Sequence, residues 1–357
     1  MDGNAQRFAR IVVRATNWVG DAVMSLPAVR AIRDAFPEAH IALVARPGVA
    51  DIYAREESVD RVIPYPRPKG AGARWGFAAR LRRERFDAAI LLQNAFDAAL
   101  MAWAAGIPTR IGYKRDARGF LLTHAIRVPE RGDIPRHERF YYLELLRRAG
   151  VIERIPECDA IRLGGADAAR AAGAKKLAEM GVEGPAIGIS PGAAYGDAKR
   201  WIPERFAEAA QMVGQARAVL VFGAAAERSL CETVAGCLRG VGMKTRNLAG
   251  ETTLGEFIDL AAACRLFLTN DSGAMHVASA LGVPTVAVFG ATDDNATGPS
   301  SPLARVIRAP ADCAPCLLRE CPIDHRCMTR VSARQVGEAA LQLWEESAPA
   351  WTHEPRS

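Results

Sequence analysis

The sequence predicts an α/β protein made of two doubly wound parallel sheets facing each other across a cleft. Three observations carry this. The chain has 357 residues, half of them hydrophobic, too many for one ordinary core and enough for two. Short apolar runs alternate with helical periodicities in both halves, the pattern of parallel α/β sheets. The stretch 270–290, NDSGAMHVASALGVPTVAVFG, reads as a turn and a short helix (273–281, closed by Gly282 and Pro284) between buried strands at 265–269 and 285–289. Such a turn presents backbone N–H groups and the positive end of a helix dipole, which favours an anion. Asp271, Ser272 and Gly273 occupy it. Glycine admits a ligand to the backbone, the hydroxyl can bond a phosphate or sugar, and the carboxylate can accept from sugar hydroxyls. Asp-Ser-Gly is equally a plain N-cap, and His276 equally a core histidine.

The first half opens with a β-α-β unit. Residues 10–14 (RIVVR) form a strand, 15–21 (ATNWVGD) a loop, and 22–36 a helix with apolar residues at Val23, Leu26, Val29, Ile32 and Phe36. Pro27 either kinks that helix or marks its first turn. Residues 41–45 form the second strand. The loop lacks the G-x-G-x-x-G fingerprint, which argues against a nicotinamide enzyme. It puts Asp21 at the carboxyl end of a parallel strand, where open α/β sheets bind ligands. Further strands are expected at 61–64, 88–92, 110–113 and 125–128, and helices at 75–85 and 139–149. Pro156, Gly164 and Gly165 mark the first part of 154–183 as a linker. The second half repeats the alternation. Strands at 186–190 and 218–222 are followed by the loop 191–201 (PGAAYGDAKRW) and a turn opened by Gly223 into a helix over 227–238. Thr253 and Glu256 have capping-box spacing. Domains are expected over 1–160 and 161–345, with a tail at 346–357.

Net charge is +6, from 46 basic and 40 acidic residues. The excess is local: 67–85 carries Arg67, Lys69, Arg74, Arg80, Arg82, Arg83 and Arg85 against Glu84, and 110–118 carries four more basic residues against Asp116. No nucleic-acid recognition motif or aromatic stacking platform accompanies them, so no nucleic-acid partner is expected. An anionic membrane surface fits, as does a merely solvated face. No apolar run reaches 18 residues and the N-terminus shows no secretory signal, so a cytoplasmic protein is expected. Of eight cysteines, Cys158, Cys231, Cys237 and Cys264 read as small buried hydrophobes. Cys313, Cys316, Cys321 and Cys327 form C-x2-C-x4-C-x5-C around Asp324 and His325. That spacing can hold zinc or an iron–sulfur cluster but matches no common zinc pattern, and a reduced loop-packing cluster is favoured over metal or disulfides.

Five motifs occur in order: TNWVGD near 20, SPGA…AKRW near 200, FGAAAE near 225, NDSGAMHVA near 275 and CAPC…ECPIDHRCM near 320. Together, over 10–343, they resemble the heptosyltransferases of glycosyltransferase family nine. The resemblance implies a GT-B fold and an inverting transfer of L-glycero-D-manno-heptose from ADP-heptose, with no cofactor and with the need for a divalent ion left open. It implies as acceptor the first heptose of the lipopolysaccharide inner core, carried on Kdo-lipid A at the cytoplasmic face of the inner membrane. The first domain would take the acceptor and the second the donor. Asp21 would be the general base on the acceptor hydroxyl, against the competing reading of a pure N-cap. Lys199 would neutralise the diphosphate leaving group. Glu227 would accept from the adenosine ribose. Asp271, Ser272, Gly273 and His276 would contact heptose and phosphates, and Asn17, Trp18, Gly192, Arg200 and Gly223 complete the expected substrate contacts. Ala193 and Ala194 stand where relatives carry hydroxyl residues, so phosphate contacts there would come from backbone N–H groups. Three other readings stay open: a sister heptosyltransferase with another core acceptor, a nucleotide-sugar epimerase or hydrolase on the same fold, and a non-enzymatic module that binds anionic surfaces.

Overall fold

The computed structural model describes residues 8–347 and divides into two compact units, 1–158 and 159–357. Of the tail expected at 346–357, residues 348–357 lie outside the described residues. In the first unit, strands β1 (Arg10–Arg14), β2 (His40–Ala45), β3 (Arg61–Pro64), β4 (Ala88–Leu91), β5 (Thr109–Tyr113) and β6 (His124–Ile126) form one parallel sheet in the order β3-β2-β1-β4-β5-β6. In the second, β7 (Ala186–Ser190), β8 (Ala218–Val221), β9 (Thr245–Asn247), β10 (Leu266–Asn270), β11 (Thr285–Phe289) and β12 (Ala304–Arg308) form another, in the order β12-β11-β10-β7-β8-β9. Counted within its own unit, the second order is the same as the first. Both are the dinucleotide-fold order, whose direction of winding reverses beside the first strand. That switch point lies between β1 and β4 in one unit and between β7 and β10 in the other.

The strands are short, and the central ones such as β4, β7, β8, β10 and β11 are wholly buried between covering helices, while the edge strands β3, β6, β9 and β12 stay partly exposed. One core packs Val12, Val44, Leu81, Ala89 and Leu91 with the helices Ala71–Arg83 and Phe96–Ala104. The core of the second unit packs Ile187, Val219, Leu268 and Val288 against Trp201, Phe206 and Trp344. Trp344 comes from the helix Ala333–Glu346, which starts in a Ser332–Gln335 capping box. The Thr253–Glu256 capping box forms as expected: the Glu256 amide donates to Thr253 Oγ1 at 3.2 Å, and the Thr253 amide to Glu256 Oε2 at 2.9 Å.

Local departures from expectation have physical causes. The first helix spans Val19–Ala35, so it starts inside the stretch expected to be loop, and Asp21 sits in its first turn. An acid there complements the exposed N–H groups, and Trp18 takes the N-cap position in extended conformation without a side-chain cap. Pro27 lies buried in the helix interior and does not mark its start. Strands β9 and β12 and the helices Pro47–Tyr53 and Ala333–Glu346 carried no sequence expectation. The basic run 110–118 is only half available to solvent. Arg118 is fully buried and donates to the carbonyls of Tyr113 (3.0 Å) and Gln93. Arg110 donates to the Leu121 carbonyl at 2.6 Å. Both arginines brace loops and are not free charges. Cys231 and Cys264 are buried as expected, whereas Cys158 and Cys237 are only half-buried.

Gly173 sets how closely two helices approach. A Cβ there would overlap the Asp259 carbonyl oxygen and crowd Ala263, because the helix Ala166–Glu179 lies directly on Leu254–Ala262. In an exposed helix Gly→Ala is stabilising by about 0.5–1 kcal/mol. Here the overlap outweighs that gain. Gly173→Ala should lower unfolding stability by about 1–3 kcal/mol, the usual overpacking cost, read from the urea midpoint. A rise in stability would show that the two helices are not in contact there.

Candidate active site

In the second unit the chemistry-bearing residues gather at the carboxyl ends of β7, β8 and β10. Asp271 follows β10 directly and is buried. Its Oδ2 accepts from Lys199 Nζ at 2.6 Å and from the Thr292 hydroxyl. Lys199 ends the single 3-10 turn Asp197–Lys199 in the loop after β7. Its ammonium also lies 4.8 Å from the centre of the Tyr195 ring, a cation–π distance. Asn270 holds the two ends of that loop: its Nδ2 donates to the Pro191 carbonyl at 2.6 Å and its Oδ1 accepts from the Trp201 amide at 3.0 Å. The lysine loop and the β10 turn are therefore one hydrogen-bonded body.

Ser272 occupies the N-cap position of the helix Gly273–Ala280, but its hydroxyl does not cap that helix. It pairs instead with Thr269 Oγ1 at 3.1 Å. The plain-cap reading of Asp-Ser-Gly thus fails for both side chains, and the helix N-terminus is left for another partner. His276 is buried within the same helix. Glu227 lies at the end of β8's following turn. Its Oε2 accepts from the Ala224 amide at 2.9 Å, and its Oε1 is 3.9 Å from Arg200. Gly192 and Gly223 both face this carboxylate. A Cβ on Gly192 would collide with it, and one on Gly223 would meet the Cys231 sulfur at 2.7 Å. The absent side chain makes room for Glu227 at Gly192 and for Cys231 at Gly223, a local reason for glycine that the sequence did not reveal. Arg200 pairs with Asp197 as well.

In the first unit the loop after β1 is held from beneath. Arg14 is buried against the Tyr65 ring at 4.9 Å and donates to the Ala15 and Val44 carbonyls, both at 3.0 Å. It also reaches Asn17 Oδ1 at 3.4 Å. Burial draws this guanidinium down to about 10. Thr16 and Ser25 share the hydroxyl of Tyr53, whose pKa burial pushes up to about 12. Trp18 is exposed. Asp21 lies close enough for its charge to act on Glu138, the first residue of the helix Glu138–Arg148. Glu138's carboxyl is raised above the ordinary range, chiefly by burial and next by the charge of Asp21, with Arg115 opposing. Sequence reading singled out neither Glu138 nor Thr292. Their one signal is position, at the carboxyl edge of a parallel sheet among residues already suspected.

The four clustered cysteines are free, from buried Cys327 to exposed Cys313. The Cys327 thiol is raised by burial and then by the neighbouring Cys313, Cys316 and Cys321. Among the described residues no group of three or more His, Cys, Asp or Glu is placed to hold a metal ion. The segment does have a packing role. The Arg319 carbonyl accepts from the Ala198 amide at 3.0 Å, the Leu317 carbonyl from the Tyr195 hydroxyl at 2.7 Å, and His325 Nε2 lies 3.0 Å from the Ala198 carbonyl. It clamps the lysine loop from outside.

Residues 74–326 match the model for glycosyltransferase family 9 (heptosyltransferase). Lipopolysaccharide heptosyltransferase 2 of Salmonella typhimurium is 36% identical over 309 residues, covering 84% of this chain and 88% of that protein. The solved structure of Escherichia coli ADP-heptose lipopolysaccharide heptosyltransferase II superposes with a TM-score of 0.80 at 30% identity, over 95% of this chain and 99% of that one. A glycosyl transferase family 9 structure from Veillonella parvula, 24% identical, shares the fold with the same TM-score over 96% and 98% of the two chains.

The Lys199–Asp271 pair is largely buried on both sides. Lys199→Ala should cost about 3–5 kcal/mol of unfolding stability, because it strands a buried carboxylate. Adding Asp271→Asn should recover a large part of that loss, since a neutral amide is cheaper to bury. Denaturant titration of the wild type, the single variants and the double variant checks this. Additive losses would show that the two side chains do not form a buried pair.

Proposed function

The chain belongs to glycosyltransferase family 9, the heptosyltransferases, and from that premise we propose that it moves heptose from ADP-heptose to the first heptose of the lipopolysaccharide inner core. The new bond forms between the acceptor hydroxyl oxygen and the anomeric carbon, with inversion. The bond from that carbon to the diphosphate breaks, ADP leaves, and the acceptor proton passes to a base. The observation that carries this reading is the Lys199 ammonium held at 2.6 Å from Asp271, beside a helix N-terminus whose own N-cap hydroxyl is turned away. A cation and a helix dipole aimed at one spot suit a leaving diphosphate, whose charge grows in the transition state. Glu227, seated against Gly192 and Gly223, suits the vicinal hydroxyls of a ribose. In this reading a side-chain ammonium, not a resident cofactor, meets the leaving group.

Asp21 is the base of the proposal. Glu138 feels the charge of Asp21: its carboxyl is raised above the ordinary range, first by burial and then by that charge. Asp21 lies on the first unit, and Lys199, Glu227 and Asp271 lie on the second. Acceptor activation and donor binding therefore belong to separate folding units. The acceptor, heptosyl-Kdo-lipid A, is anchored in the inner membrane, so the protein works at that membrane's cytoplasmic face. Among the described residues no helix is long and apolar enough to cross a membrane, and attachment in this reading is peripheral.

Asp21→Asn keeps the shape of the side chain but cannot take the proton. Turnover of ADP-heptose on a defined truncated core acceptor should fall by roughly 10²–10⁴-fold. ADP-heptose affinity and melting temperature should stay close to wild type. Glu138, relieved of the like charge, should titrate lower than before, read by NMR of the labelled carboxyl. Full turnover in the folded variant would remove Asp21 from the role of base.

A further inference from the structure

Besides Trp18, four exposed aromatic side chains of the first unit lie on two neighbouring helices and the turn beside them. Trp75 is 54% exposed, Phe96 40%, Trp103 48% and Phe120 77%. Phe96, Leu100 and Trp103 are spaced i, i+4, i+7 and share one stripe of the helix Phe96–Ala104. The Phe120 ring packs beside Phe96, centroid to centroid 6.2 Å. Two contacts fix the neighbouring helix Ala71–Arg83 in register with it. Arg74 Nε lies 3.8 Å from Asp97, and Arg82 donates to the Ala104 carbonyl at 2.7 Å. Trp75 is therefore level with Phe96, and Arg82 with Trp103. Both helices and Phe120 follow β3, β4 and β5, so Trp75, Phe96 and Phe120 lie toward the same sheet edge as Asp21, which follows β1, while Trp103 lies at the far end of its helix.

Exposed basic residues accompany this patch: Arg80 and Arg83 on the first helix, and Lys114 and Arg115 in the segment after β5, where Arg115 also pairs with Asp116. A protein interface of this size is normally depleted of charge at its centre, and one sign of charge repels itself across a symmetric pair. Aromatic and leucine side chains accompanied by arginine instead match the water–lipid boundary of an anionic bilayer. We propose that Trp75, Phe96, Trp103 and Phe120 form a wedge that enters the headgroup layer of an anionic membrane. The accompanying arginines hold the surface, and the edge bearing Asp21 faces acceptors presented there. This rests on the reading that the acceptor is membrane-anchored.

The test uses the full chain and vesicles of phosphatidylglycerol with phosphatidylethanolamine. Wild type should bind, and lipids brominated in the upper acyl chain should quench its tryptophan emission. Arg80→Gln with Arg83→Gln should remove the salt-sensitive part of binding. Trp75→Ala with Trp103→Ala and Phe120→Ala should weaken the part that survives high salt by roughly tenfold or more. Quenching should disappear, while turnover on a soluble truncated acceptor stays normal. Equal binding by the aromatic variant, with no quenching in wild type, overturns the wedge and leaves peripheral attachment standing. Absence of wild-type binding at any salt overturns both. A change of oligomeric state in the aromatic variant, with vesicle binding intact, overturns the wedge in favour of a second copy of the chain.

Discussion

The buried contact between Asp271 and Lys199 is the constraint on which the candidate donor site depends. A carboxylate that closes a parallel strand is out of reach of water, so it must have a counter-charge and further donors close by. Lys199 and Thr292 supply them from the loops after β7 and β11. Meeting that requirement draws three strand ends together at the point where the sheet's winding reverses. Asn270, one residue earlier, ties both ends of the lysine loop to the same place. A loop that would otherwise be mobile is thereby held in one arrangement, with its ammonium where an anion can meet it.

That arrangement is layered. Behind the lysine stands Tyr195, with Lys199 and Arg319 both within cation–π distance of its ring. Behind Tyr195 stands the cysteine-rich segment, which hydrogen-bonds to the loop at Tyr195 and Ala198. Cys327 and Met328 in turn pack so closely over Gly290 that a Cβ there would collide with both sulfurs. The segment that looked most like a metal site in the primary structure is thus, in the fold, an outer brace on the lysine loop.

The first unit solves a different problem with the same topology. Its β1 loop carries an acid in the first turn of a helix, above a floor of Arg14, Tyr53, Thr16 and Ser25 that is hydrogen-bonded throughout. The half-buried Glu138 carboxyl is raised above its ordinary range, first by burial and then by the charge of Asp21.

The sequence by itself determined the fold class, most strand positions and the family. The reason is local: β1, β3, β7 and β11 are short apolar runs bounded by turn residues, and their periodicity does not depend on what lies across the sheet. It also pointed to Asp21 and Asp271, because turns at strand ends are where such folds bind ligands, and, through the family resemblance, to Lys199 and Glu227. Tertiary structure alone decided the rest. Glu138 meets Asp21, and Thr292 meets Asp271, across long separations in sequence that no periodicity records. Arg118 reads as a surface charge in a basic run, yet the fold buries it whole beneath β5's following loop. Gly192 leaves the space that Glu227 occupies, and Gly223 leaves the space next to the Cys231 sulfur, neighbours that the sequence does not record. In each case the deciding quantity is which distant backbone or charge sits within a few ångströms, and only folding sets that.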